Sequence, residues 1–147
     1  MGSTFYSLHY HIVFSTKDRR PFLRPEWRAR VHEYLGGTVR GLGGVAESVG
    51  GVEDHVHLLV SLKTTQAPAD LTREVKKASS LWVAEHFDRG FFWQEGYAIF
   101  TVSWTHVLAL RPYIANQEAH HKRASFIDEL IRLLEKNGVD YDPKYLL

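Results

Sequence analysis

Two histidines one residue apart, His55 and His57 in "EDHVHLLV", and a second such pair, His9 and His11 in "HYH", are the side chains of this chain best suited to hold a metal ion. On a strand, residues i and i+2 project from one face about 6.6 Å apart at the backbone, so both rings can converge on one ion. With nine histidines in 147 residues the H-x-H pattern is unspecific, and strand imidazoles bonded to their neighbours are the ordinary alternative for both pairs. A second constellation lies in "PYIANQEAHHK". Tyr113 and Gln117 are four apart, which on a helix puts their β-carbons about 6 Å apart on one face. A phenol nucleophile and an amide oxygen are thereby delivered to one place. His121 falls one turn further on the Gln117 side, as a replacement or supplementary ligand or as a partner for the helix dipole.

Imidazole softness alone favours zinc or a later transition metal at such a site. A tyrosine with a pKa near its ordinary value of about 10 needs a cation or base to help it ionise, and Lys17, Arg111 and a metal ion are the candidates. Pro112 directly precedes Tyr113, where it removes an amide donor and disfavours helical geometry at Arg111. Either a helix begins at Pro112, keeping Tyr113 and Gln117 on one face, or a longer helix from about Thr105 is kinked there.

The elements that must position these groups follow from periodicity. Phe5 to Thr16 alternates, with Leu8, Tyr10, Ile12 and Phe14 on one face and His9, His11, Val13 and Ser15 on the other. Pro25 opens a helical pattern through Trp27, Val31 and Leu35 that "GLGG" stops at 41–44. Two strands follow, at about 45–50 and 52–62, with Val56, Leu58 and Val60 sharing a face of the second. Pro68 begins a second helix that ends near Phe87, and a fourth strand lies around 97–103. One helix carries "YIANQEAHHK", and another starts at Ser125, whose spacing to Asp128 resembles a capping box, and stops at Asn137 and Gly138. The order β-α-β-β-α-β plus C-terminal helices predicts an α+β, ferredoxin-like or RRM-like two-layer sandwich with an antiparallel sheet, as a single domain over 1–147. The first and third strands are central in that topology. The apolar strand faces pack on the first two helices, so His9, His11, His55 and His57 are expected to line one open sheet surface.

Composition bounds the function. A net charge of +1, from 18 Lys+Arg against 17 Asp+Glu, excludes a globally basic nucleic-acid binder. Phosphate recognition would fall to local patches: Lys17, Arg19, Arg20 and Arg24, then Lys76 and Lys77, then Lys122 with Arg123, each of which is otherwise an ordinary solvated face. The absence of cysteine excludes disulfides, thiolate metal sites and cysteine nucleophiles. No stretch approaches the roughly 18 apolar residues of a membrane span and no signal peptide is evident, so a cytoplasmic protein is expected.

Taken together, "HVHLLV" after two carboxylates, "FFWQEGYAIFTVS" and "YIANQEAHHK" resemble the HUH-type single-tyrosine transposases of the smallest bacterial insertion sequences, including their relatives associated with repetitive extragenic palindromes. The resemblance runs from "YHIVFSTKDRRPFL" to "GVDYDPKYL". It implies His55, His57 and Gln117 as ligands of a divalent metal, Mg2+ or Mn2+, and Tyr113 as the nucleophile. It further implies cleavage and rejoining of single-stranded DNA through a 5′-phosphotyrosine, recognition of DNA hairpins at element ends, a homodimer, and a place at the nucleoid. Lys17, Arg19, Arg20, Arg24, Lys76 and Lys77 are the expected phosphate contacts. A domesticated relative of the same family is one alternative. A non-catalytic single-strand-binding module that stacks bases on an open sheet face is another, and a phosphoesterase using activated water is a third.

Overall fold

A computed structural model describes residues 2–122 and 124–146, so Arg123 of the 122–123 basic pair lies outside the described residues. Four strands, β1 (His9–Ser15), β2 (Val45–Gly51), β3 (His55–Ser61) and β4 (Ala98–Val102), form one antiparallel sheet in the order β2-β3-β1-β4. The helices are α1 (Pro25–Gly41), α2 (Pro68–His86), α3 (Trp104–Ala115), α4 (Gln117–His121) and α5 (Phe126–Lys136). This is the predicted α+β sandwich, with β1 and β3 at its centre.

The helix limits have local causes. Pro25 and Pro68 stand in the first turns of α1 and α2, where a missing N–H costs nothing. The Ser125 hydroxyl caps α5 by accepting from the Asp128 N–H at 3.2 Å. α5 then places Phe126, Leu130 and Leu134 on one buried stripe.

One sheet face carries Ile12, Phe14, Val56, Leu58 and Val60, buried against Val31, Leu35 and Val39 of α1 and Leu71, Val75 and Val83 of α2. The opposite face carries the histidines, and here the structure departs from the expectation of an open surface. His9, His11, His55 and His57 are all buried, the last two completely. The physical reason is the apolar stripe of α5, which needs a partner and finds it in Val13, Ala98 and Phe100, while Val107 and Ile114 of α3 cover Leu59. A base-stacking platform on that face, the basis of the binding-module alternative, is therefore absent among the described residues.

Pro112 lies inside α3, so the longer of the two helices anticipated around it forms. The chain breaks at Asn116, at φ −104° and ψ 33°, before α4 begins. Gly50 of β2 approaches α3 so closely that a Cβ there would collide with the Ile114 carbonyl.

Candidate metal centre and nucleophile

The sheet register places the histidines. Val13 of β1 faces His57 of β3, and His11 faces Leu59, so the His11 and His57 rings meet diagonally, with Nε2 of one 2.7 Å from Nδ1 of the other. His55 sits two residues before His57 on the same face. Its Nδ1 is 2.7 Å from the Asp54 carboxylate, which leaves Nε2 pointing into the site. The acidic residue before the histidine motif thus fixes a ring.

The C-terminal helices bring the remaining groups. Gln117, buried at the start of α4, sets its Oε1 3.4 Å from His55 Nε2 and 2.9 Å from His121 Nε2, and its amide donates back to the Tyr113 carbonyl at 3.1 Å. Glu129 of α5, only 1% exposed, reaches the centre of the cluster. Its Oε1 is 2.8 Å from His57 Nε2, 3.2 Å from His55 Nε2 and 3.1 Å from His121 Nε2. Its Oε2 accepts a hydrogen bond from the Tyr113 hydroxyl. His120 Nε2 also lies 3.3 Å from Oε2, but without hydrogen-bond geometry, which leaves that buried nitrogen unpaired.

His55, His57, Tyr113 and Gln117, four residues singled out in the sequence, therefore converge on one point. Glu129 was not among them. A glutamate on a helix ordinarily reads as solvated, yet its spacing carried a signal, since it falls three residues after Phe126 and one before Leu130, inside the apolar stripe.

The electrostatics follow from burial and from this carboxylate. Burial lowers His57 to about 4, against the pull of Glu129, and lowers His11 to about 3, helped by His57. Burial acts on His55 in the same sense, but hydrogen bonds to Asp54 and Glu129 outweigh it and raise its pKa. For Glu129, the histidine hydrogen bonds outweigh burial and hold the carboxyl well below the usual carboxylate range. Burial and the bond to Glu129 push the Tyr113 phenol up, so the resting protein keeps that proton on oxygen. Imidazole nitrogens around an ionised carboxylate form a donor set suited to a divalent cation. The candidate ligand atoms of His55, His57, His121 and Glu129 all lie within 4.8 Å of one another.

The basic candidates are not gathered in the same way. Lys17, Arg19, Arg20 and Arg24 are exposed along the segment between β1 and α1, which is tied to the turn before His55 by Thr16 N–H to Asp54 O (2.8 Å) and Leu23 N–H to Glu53 O (3.0 Å). Lys77 is exposed, whereas the Lys76 ammonium donates to the Gln94 and Gly96 carbonyls, both at 2.7 Å. Arg111, a candidate activator of Tyr113, is directed instead at Glu47 of β2, at 3.8 Å.

Known proteins resemble this chain over most of its length. Residues 4–117 match the family model described as Transposase IS200 like. The ISDra2 transposase TnpA of Deinococcus radiodurans is 30% identical over 119 residues, covering 76% of this chain and 85% of that protein. The transposase for insertion sequence element IS200 of Salmonella typhimurium is 27% identical over 124 residues, 80% of this chain and 81% of its own. A crystal structure assigned as a transposase from Deinococcus radiodurans R1 superposes with a TM-score of 0.66 at 25% identity, over 80% of this chain and 95% of that one. A REP-associated tyrosine transposase bound to a REP hairpin shares the fold, with a TM-score of 0.57 at 13% identity over 78% and 70%. With the match running through both the histidine strand and the tyrosine helix, the chain belongs to the IS200-like transposase family.

Proposed function

We propose that this transposase cleaves and rejoins single-stranded DNA with Tyr113 as its nucleophile, forming a 5′-phosphotyrosine and releasing a 3′-hydroxyl. The observation that carries the reading is the meeting of the Tyr113 hydroxyl and the histidine pair on one buried carboxylate, Glu129. His55, His57 and Gln117 would hold a divalent ion, Mg2+ or Mn2+, with His121 and Glu129 as further donors. Such an ion, when bound, supplies charge neutralisation to the non-bridging phosphate oxygens.

The protein's own residues do the rest. Asp54 fixes the His55 ring, Gln117 ties α4 back to the Tyr113 carbonyl, and Glu129 orients the phenol. The phenolic oxygen attacks phosphorus and gives up its proton, to Glu129 or to solvent, while the P–O bond to the 3′-oxygen breaks and that oxygen takes up a proton as the 3′-hydroxyl. The covalent bond conserves the phosphodiester, so rejoining needs no nucleotide energy source. A hairpin in the single strand is the proposed recognition element, which the fold shared with a transposase bound to a REP hairpin supports. The reading extends to a second copy of the chain as partner, checked by the mass in solution, and to action at the nucleoid in the cytoplasm. None of the described helices is long and apolar enough to cross a membrane.

The test uses single-stranded DNA copied from both flanks of the gene, with wild type and Tyr113→Phe, with and without Mg2+ or Mn2+, on a denaturing gel. A protein-DNA adduct that needs the metal and is lost in Tyr113→Phe is expected. Cleavage that persists in Tyr113→Phe would instead establish a hydrolase using water.

A further inference from the structure

α3 and α5 leave a groove of about 280 Å³ between them. Tyr113 and Glu129 touch within it, and the lining continues for two turns along each helix, about 10 Å, to His106 on α3 and Lys136 on α5. Its floor includes Leu110 and Leu133, both half-buried. Arg132 and Lys136, four apart on α5 and therefore on one face, line it and are exposed.

We propose that this groove carries the single-stranded DNA next to the phosphodiester that Tyr113 attacks, with Arg132 and Lys136 as its phosphate contacts. The inference rests on the reading of Tyr113 as nucleophile and says where the strand lies. Three observations support it. The groove runs to the nucleophile itself, so a strand lying in it delivers a phosphate to the phenol. The side chains of Arg132 and Lys136 make no hydrogen bond or ion pair among the described residues, whereas Arg28 is bound to Glu118 and Lys76 to two carbonyls. The carboxylate in the lining, Glu129, is already engaged by histidines and Tyr113, so it does not neutralise the basic pair. The apolar floor suits sugar and base edges, and two cations one turn apart suit successive phosphates. α5 lies beyond residues 4–117, so one wall of the groove comes from outside the segment that the family model matches.

The experiment measures binding of a fluorescent oligothymidylate of about 20 nucleotides to the full chain in EDTA, as a function of salt. The variants are Arg132→Ala with Lys136→Ala, and a charge-matched control, Arg40→Ala with Lys63→Ala, also at exposed positions. Each lost phosphate contact lowers the slope of log K against log salt by about 0.7, so the groove variant should lose about 1.4 in slope and about tenfold or more in affinity. Retention of wild-type affinity and slope, a loss no greater than the control's, or no binding by wild type at low salt overturns the proposal. The adduct assay, run on the same proteins, separates the two readings. Adducts formed by wild type and by the groove variant at equal rates, with no change in binding slope, sink the groove and leave Tyr113 standing. A loss of slope in the groove variant, with no adduct from wild type, keeps the groove and sinks the nucleophile.

Discussion

The two faces of one sheet are built on opposite principles. Toward α1 and α2, β1 and β3 present Ile12, Phe14, Val56, Leu58 and Val60, and the space is filled with aliphatic and aromatic side chains. Toward α3, α4 and α5, the alternate residues of the same strands present His9, His11, His55 and His57, buried as deeply but held by ring-ring and ring-carboxylate contacts. The first arrangement stabilises through area removed from water, while the second must offset the desolvation of every polar atom with a partner. The contrast teaches that the apolar face supplies the stability that lets the other face hold a costly polar network.

The comparison is broken most severely by a cavity on the apolar side. Phe14 is fully buried and meets Trp93 edge-on, with ring centroids 4.8 Å apart, so Phe14→Ala should cost about 3–5 kcal/mol in urea titration. Its response to metal should survive. At about 100 times the dissociation constant a bound Mn2+ adds about 2.7 kcal/mol, an increment expected in wild type and Phe14→Ala and absent from His57→Ala. A His57→Ala protein that still gains stability from Mn2+ would place the ion elsewhere.

Acid attacks the polar face, and His32 of α1, lowered to about 4 by burial, adds to the loss. His11 and His57 have folded pKa values near 3 and 4, below the unfolded 6.5. Above pH 6.5 they are neutral in both states and contribute no pH dependence. Between 6.5 and 4 the unfolded chain takes up protons that the folded chain refuses, so stability falls as pH falls, by about 3 kcal/mol for each of the two histidines. His55, whose pKa is raised, has the opposite sign: its contribution is present below 6.5 and is lost only as pH rises through its folded value. It therefore does not cancel the acid loss. Urea titrations in EDTA from pH 7 to 4 read this slope, and a flat profile would mean that the imidazoles are protonated in the native state.

The sequence made the sheet legible because alternation and turn residues act locally. β2 and the N-terminal limits of α1 and α2 lie where the pattern put them, and β3 runs from His55 to Ser61 inside the expected 52–62. That His55 shares a face with His57, and Tyr113 a side with Gln117, was legible too from the i, i+2 and i, i+4 spacings, while the meeting of the two pairs was implied only by the resemblance to the single-tyrosine transposases. What could not be read was the lid. Nothing local says that α5 folds back over β1 and β4, so the histidine face seemed open and Glu129 did not stand out. That packing is tertiary, and its trace in the sequence is the single carboxylate inside the Phe126, Leu130 and Leu134 stripe.

The smallest expected effect on stability tests whether the sheet and the helix that carries Tyr113 are coupled. At Gly50, on the edge strand β2, an added Cβ would strike the Ile114 carbonyl, one residue after Tyr113. Backbone must therefore shift, and α3 is the element that can yield, since it packs on the sheet through only Val107 and Ile114 as fully buried residues. Overpacking of this kind costs about 1–3 kcal/mol. A displacement of the phenol by about 1 Å is sufficient to slow a positioned reaction about a hundredfold. Gly50→Ala should thus lower the rate of adduct formation far more than its loss of stability lowers the folded fraction. Gly41→Ala, at the end of α1 where a Cβ meets nothing within 4 Å, should leave the rate unchanged. Equal rates for the two variants would show that Tyr113 is placed by α5 and its Glu129 bond alone, and that β2 has no part in aiming it.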